Sequence, residues 1–382
     1  MKSTGQVSLP ILAASALLAG CGGASNNTDS GGNELEYSQR QIDASSSTDY
    51  VYLNLESNTE LMLTAEQAAS SDQWHVAVRR FSVQLNGGAS GPGSVAGALA
   101  DAQDEFYDGN DDPVVSVFTN ASPDSELAAF TATMTEPENW VEDSVVTLLK
   151  GSSSTDGGWY AYNPMNGVIT ANSDNGWLIR AGEGNSYARM RAEEITFATR
   201  SGNGVESFQF SFDVQVPDTD QFTATATFSG SIPPAGGEVC FDFNADETVA
   251  CAGSLWDLKI AFVGRDFYLR SNGGVSGDGA GGVFGPFDWS DLSTWTSATI
   301  EPDGSSVVAR YQEDVTSGIF DQSSWYAYNL TGLHQLWPNY RVYLIDTDQN
   351  NDAAPKYALQ ITGYYDDTGA AGHPRLRWRR IN

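Results

Sequence analysis

The chain has 382 residues, of which 49 are acidic and 19 basic, for a formal charge of −30. That balance excludes nucleic-acid binding, which needs a basic footprint, and suits an exported protein kept soluble by a carboxylate-rich surface. No G-x-S-x-G elbow or H-E-x-x-H pair occurs, and acidic pairs are too abundant to single out a glycosidase pair, so the chain reads as a non-enzymatic binding protein.

At the N-terminus, Lys2 precedes a short apolar run, Leu9–Leu18, too short to span a bilayer as a mature helix. The run ends in Leu18-Ala19-Gly20-Cys21, a lipobox pattern. Residues 1–20 are therefore expected to be a lipoprotein signal peptide, with Cys21 the lipidation site. Gly22 in place of Asp leans towards the bacterial outer membrane, with the chain held there by lipid alone and the face it occupies left open. Residues 21–47, rich in Gly, Ser, Asn and Asp, bury too little to offset ordering entropy and read as a flexible tether.

Beyond the tether the apolar pattern has period two. Tyr50–Leu55, Trp74–Leu85, Phe208–Val214, Phe222–Phe228, Trp256–Phe262 and Arg341–Ile345 alternate and are rich in Val, Tyr, Phe and Thr. Helical periodicity is scarce, with Leu63–Ser70 one short candidate. The fold class is all-β, with antiparallel strands in two packed layers and few short helices. Trp-Tyr-Ala-Tyr-Asn occurs twice, at Trp159–Asn163 and Trp325–Asn329. Trp74 and Leu85-Asn86-Gly87-Gly88 recur as Trp256 and Ser271-Asn272-Gly273-Gly274, so two tandem copies are expected, residues 48–216 and 217–382, with a linker near Val216–Asp220. Cys240 and Cys251 flank a hairpin pattern, and a disulfide there would contribute about 2–3 kcal/mol in an oxidising compartment.

The ordered pieces resemble the HmuY-like haem-binding lipoproteins. The second copy carries the resemblance furthest, in Trp256-Asp257, Asn272-Gly273-Gly274, Trp325–Asn329, Val342-Tyr343-Leu344, Gly363-Tyr364-Tyr365 and Gly372-His373-Pro374. The first departs at His75, where the second has Asp257, and lacks the terminal Tyr-Tyr. The resemblance implies two HmuY-type β-sandwich-like domains, haem held between His or Met side chains, and delivery to an outer-membrane transporter.

His334 follows the second pentapeptide and is the leading ligand candidate, with Trp337 and Tyr340 nearby to stack on a porphyrin. His373 is its candidate partner if the closing hairpin folds back. Val168 stands at the corresponding place in the first copy, where Met134 and Met165 offer a Met–Met alternative. His75 alternates away from Trp74 and Val76 and is expected to face solvent or a neighbouring strand. Arg375, Arg377, Arg379 and Arg380 on the final strand read as edge protection. Asp346, Asp348, Asn350 and Asp352 space oxygens like the start of a calcium loop, but Asn351 replaces its glycine and Tyr357 its final carboxylate, so a solvated acidic turn is the stronger reading. The competing function is a duplicated adhesion or ligand-binding module that has lost haem coordination.

Overall fold

The computed structural model describes residues 36–151 and 158–382; the expected leader, Cys21 and the expected tether up to residue 35 lie outside them. The tether's described part is no flexible linker, since Ser38–Gln41 pairs with the final strand and Ile42 and Ala44 are fully buried. The described chain is dominated by antiparallel strands, with five α-helices of four to six residues.

Four successive stretches supply the strands. The first gives β1 (Ser38–Gln41), β2 (Val51–Asn54), β3 (Thr59–Leu61), helix α1 (Ala65–Ala68), β4 (Val76–Arg79), β5 (Ser82–Leu85) and β6 (Ala96–Asp101). Helices α2 (Val115–Asn120) and α3 (Leu127–Thr131) lead to β7 (Ser144–Val146). The second stretch holds β8 (Tyr160–Asn163), β9 (Val168–Ala171), β10 (Asn175–Arg180), β11 (Tyr187–Ala198) and β12 (Val205–Gln215). The third holds β13 (Ala224–Ile232), β14 (Gly237–Asp242), β15 (Glu247–Val249), β16 (Leu258–Val263), β17 (Asp266–Ser271), β18 (Gly282–Asp288) and α4 (Trp289–Leu292). The fourth runs through β19 (Val315–Ser317), α5 (Ile319–Gln322), β20 (Tyr326–Tyr328), β21 (Leu336–Pro338), β22 (Val342–Asp346), β23 (Lys356–Tyr365) and β24 (Ala371–Arg380).

Sheets join the first stretch to the fourth and the second to the third. One lobe has the order β1-β24-β23-β22-β6, faced by β3-β2-β4-β5. The other has β13-β12-β11-β10-β18, with β9 also on β11, faced by β15-β14-β16-β17. Where the chain passes between lobes, β7 and β19 pair only with each other, Thr316 opposite Val145. The expected division at 216/217 therefore does not separate the sheets: β12 and β13 are paired neighbours across it, and β6 pairs with β22. Periodicity marks a strand's buried face but not which of two similar edges it meets.

Each lobe buries its core between its two sheets. Leu53, Val76, Val78 and Leu85 meet Tyr343, Ile345, Leu359 and Trp378 in the first. Phe241, Leu258 and Ile260 meet Ile179, Met190, Phe210 and Phe212 in the second. The Cys240–Cys251 disulfide closes the β14–β15 hairpin, with Cα atoms 5.3 Å apart.

The Asn-Gly-Gly motif works the same way in both lobes. Asn86 is fully buried, donates to the Ser71 and Trp74 carbonyls at 2.9 and 2.8 Å, and accepts the Gly93 N–H at 3.1 Å. Asn272 donates to Gly253 and Trp256 at 3.0 and 2.7 Å and accepts from Gly279 at 3.0 Å. A Cβ on Gly91 or Gly277 would lie 2.1 Å from the asparagine oxygen, so only glycine passes there.

The packing corrects one further expectation and decides between the alternatives of another. Arg377 and Arg379 do not guard an edge, because β24 lies between β1 and β23. Both are buried; Arg377 donates to the Pro123 and Glu126 carbonyls and Arg379 to those of Phe130 and Ala132, tying the α3 segment to the sheet. Of the two surroundings expected for His75, solvent and a neighbouring strand, it takes the second: it is buried just before β4 and turns its ring to the end of β2. Its Nδ1 accepts the Leu55 N–H at 3.1 Å, as Asp257 accepts the Phe243 N–H at 2.9 Å.

These buried groups set a pH dependence. Burial raises Asp257 to about 7 and Asp143 to about 6, and lowers His75 to about 4. The folded carboxyls bind protons more tightly than the unfolded chain, so stability rises as pH falls through about 7 and then 6. Below the ordinary histidine value of 6.5 the unfolded state instead protonates His75 preferentially, which opposes that gain. The thermal midpoint should therefore rise from about pH 8 towards about pH 5, since two carboxyls gain on folding against the loss at one histidine. His75→Asn, which keeps an acceptor for Leu55, should make the rise below about pH 6.5 steeper.

Candidate functional site

The second pentapeptide opens the β20–β21 hairpin, and its residues alternate between core and surface. Trp325 is buried and donates its indole N–H to the Phe81 carbonyl at 3.0 Å; Ala327 is buried too. Ala327 pairs with Trp337 on the face that packs against Phe106, Phe118 and Tyr340. The opposite face carries Tyr326, Tyr328 and Leu336, and Tyr326 stands 6.0 Å from the exposed Phe81 ring. Trp337 and Tyr340, expected to stack on a ligand, thus form the hairpin's support.

The end of the pentapeptide holds His334. Asn329 Oδ1 accepts the His334 backbone N–H at 2.8 Å, which fixes the histidine with φ at +55°. Tyr328 is 57% exposed, and its hydroxyl lies 2.8 Å from His334 Nδ1. The imidazole is exposed, and among the described residues no protein group bonds its Nε2. A stripe of Phe81, Tyr326, Tyr328 and His334 therefore runs along one side of the hairpin.

Tyr365 ties this stripe to the segment that carries His373. Its hydroxyl accepts the Leu336 N–H at 3.0 Å, and its carbonyl accepts from Gln41 Nε2, which also reaches the His373 carbonyl. Both His373 ring nitrogens are engaged, Nδ1 at 3.3 Å from the Ala370 carbonyl and Nε2 at 3.4 Å from Asp43. Hydrogen bonds from Ser45 hold the Asp43 carboxyl below its usual range. Two cations border this end. Arg80 lies against the Tyr364 phenol, which burial raises, and Arg375 is shared between Gln41 and the exposed Asp367. A recess of about 200 Å³, lined by Phe81, Phe320, Trp325 and Tyr326 among others, adjoins the stripe. It is smaller than the usual 300–1,000 Å³ ligand pocket, so a porphyrin-sized molecule would lie across the stripe.

The other candidates stand apart. Met165 is 88% exposed at the β8–β9 turn, with its N–H on Asn163 Oδ1 at 3.0 Å and its carbonyl on Arg200. Val168 is part of β9, opposite Asn163. Met134 packs against Phe130, Val342 and Leu344, as a core filler would. The described hydrogen bonds and side-chain clusters join neither methionine to a histidine or to the other methionine. The calcium-like spacing is a turn. Asp346 accepts the Asp348 N–H and faces Lys356 at 3.4 Å, Asp348 accepts the Asn350 N–H, and Asn350 donates to Ser94. Asp352 is exposed beyond it, and no group of three or more acidic, His or Cys side chains suited to a metal occurs among the described residues. Sequence reasoning missed Tyr328 and Asn329 as the groups that hold His334, and Tyr365 as the one that holds the next strand at Leu336. The tyrosine and asparagine ending the repeated pentapeptide were the available signal.

A family model described as HmuY protein matches residues 46–210, less than half of the chain. That match begins in the first lobe and ends in the second. No curated protein matches. Similar solved structures include a Bacteroides vulgatus protein assigned as HmuY-like and heme-binding, at 10% identity and TM-score 0.31, covering 90% of each chain. A Bacteroides fragilis protein assigned as a lipoprotein is 11% identical with TM-score 0.30, covering 90% of this chain and 89% of that one. The apo HmuY analog of Tannerella forsythia is 8% identical with TM-score 0.30, covering 91% and 96%. Scores of that size leave the fold description to rest on this chain's own strand pairing.

Tyr365→Phe removes the acceptor for the Leu336 N–H, a loss of about 1 kcal/mol for a partly buried hydrogen bond. Amide exchange should quicken at Leu336 and His334, while protection of β22 and β23 stays as in the parent protein.

Proposed function

We propose that this chain binds haem without catalysing a reaction on it, as an exported, lipid-anchored protein that passes haem to an outer-membrane uptake system. The observation that carries the reading is His334: an exposed imidazole with its Nε2 free, on a stripe of aromatic side chains with Arg80 and Arg375 at the same end of the lobe. An imidazole nitrogen suits haem iron, aromatic faces suit the porphyrin, and guanidinium groups suit its propionates. The match of residues 46–210 to the HmuY family supports the same cargo. We read the chain as two copies of one unit, each contributing its front half to one lobe and its back half to the other. Only the copy that ends the chain places a histidine after the pentapeptide.

A second reading, a ligand-binding or adhesion module without iron coordination, is favoured by one observation. His373, the candidate partner for His334, has both ring nitrogens turned to protein acceptors. His334 would then be the sole protein ligand unless His373 leaves Asp43.

Titration of the purified, unlipidated protein with haemin, followed at the Soret band, tests the proposal. Saturable binding with a sharpened band is expected, lost in His334→Ala and unchanged in Met165→Ala. Weakening in His373→Ala would identify a second ligand. Loss in Met165→Ala instead would move the site to the other lobe, and no spectral change at micromolar haemin would leave the adhesion reading.

A further inference from the structure

We infer that Tyr328 is a positioning residue for His334, its hydroxyl oxygen accepting the Nδ1–H so that Nε2 is left unprotonated and turned outward as the ligand-binding nitrogen. The inference deepens the haem reading above and rests on it only for the identity of the ligand. The tautomer it assigns belongs to the protein by itself.

Three observations carry it. The Tyr328 hydroxyl lies 2.8 Å from His334 Nδ1, and the two rings are 6.0 Å apart and inclined at 38°, so the contact is made edge-on by the hydroxyl rather than by stacking. Tyr328 is 57% exposed, so its O–H can donate to water while a lone pair takes the ring N–H. The histidine backbone is fixed independently by Asn329 Oδ1, so the Tyr328 hydroxyl has only the ring's torsions left to set. An imidazole can offer one nitrogen to a metal only when the proton sits on the other, and a hydrogen-bond acceptor at that other nitrogen selects the tautomer and raises ligand basicity.

The first lobe's hairpin and its counterpart show what this adds. Asn163, like Asn329, accepts an N–H of its own turn, from Met165 at 3.0 Å. Tyr162 also stands next to that asparagine, but β9 places Val168 opposite, and Tyr162 has no imidazole to orient. The turn scaffold is common to both hairpins, whereas a tyrosine hydroxyl set on a histidine nitrogen occurs in one.

Nitrogen-15 NMR of His334 in the ligand-free protein reads the tautomer directly. The Nδ1–H form is expected in the parent protein at a pH where the ring is neutral, and a shift to predominantly Nε2–H in Tyr328→Phe. Tyr328 lies on the surface, so this variant should fold, and Tyr162→Phe serves as the control that changes neither readout. Haemin affinity should fall about 10- to 100-fold in Tyr328→Phe, the usual effect of losing a group that orients a metal ligand. An Nε2–H tautomer in the parent protein, or one unaltered by Tyr328→Phe, overturns the inference. If the parent protein takes up no haemin, the haem reading fails while the NMR result still decides the role of Tyr328.

Discussion

The antiparallel pairing of Ser144–Val146 with Val315–Ser317 is the constraint on which the rest of the architecture depends. Both segments leave a completed four-stranded sheet and must cross to the opposite lobe, and they cross side by side. Asp143 and Asp314 sit at the two departure points, with their carbonyls accepting Ala89 and Val275. Between the crossings the chain completes the second lobe, and only after its return does it supply β22, β23 and β24 to the sheet that β6 and β1 belong to. The second lobe forms from one uninterrupted stretch between the crossings, whereas the first needs strands from both ends of the chain.

That exchange asks a great deal of the buried polar groups near the crossings. Asn86 and Asn272 each hold a tryptophan carbonyl and a loop glycine, and His75 and Asp257 each cap a backbone N–H that the neighbouring strand leaves free. A buried backbone N–H without an acceptor costs about 1–3 kcal/mol, so each of these side chains does more for stability than its size suggests. The choice of histidine in one lobe and aspartate in the other leaves the hydrogen bond intact and changes the direction of its pH response.

The candidate site draws on the same economy of parts. In the first lobe the repeated pentapeptide supplies a core anchor in Trp325, an aromatic surface in Tyr326, and the two groups that hold His334, Tyr328 and Asn329. In the other lobe Trp159 is buried in the same way, with its indole on the Leu149 carbonyl, but the turn that follows exposes a methionine. A common scaffold with different tips lets one lobe hold an imidazole without altering how either lobe folds.

Sequence by itself determined the all-β class, the short α1 helix and the hairpin between Cys240 and Cys251, because alternation and turn residues are local properties of the chain. It also determined that His334 would stand after the second pentapeptide and Val168 after the first. Tertiary structure alone decided which strands share a sheet, since β6 meets β22 across 241 residues only because the chain crosses at β7 and β19. It decided as well that Arg377 and Arg379 are interior ties, that Met134 packs half-buried against the core, and that Tyr365 and Tyr328 converge on the His334 hairpin. Those outcomes depend on which distant surfaces are pressed together, and the burial and hydrogen bonding that result are written in no local stretch of residues.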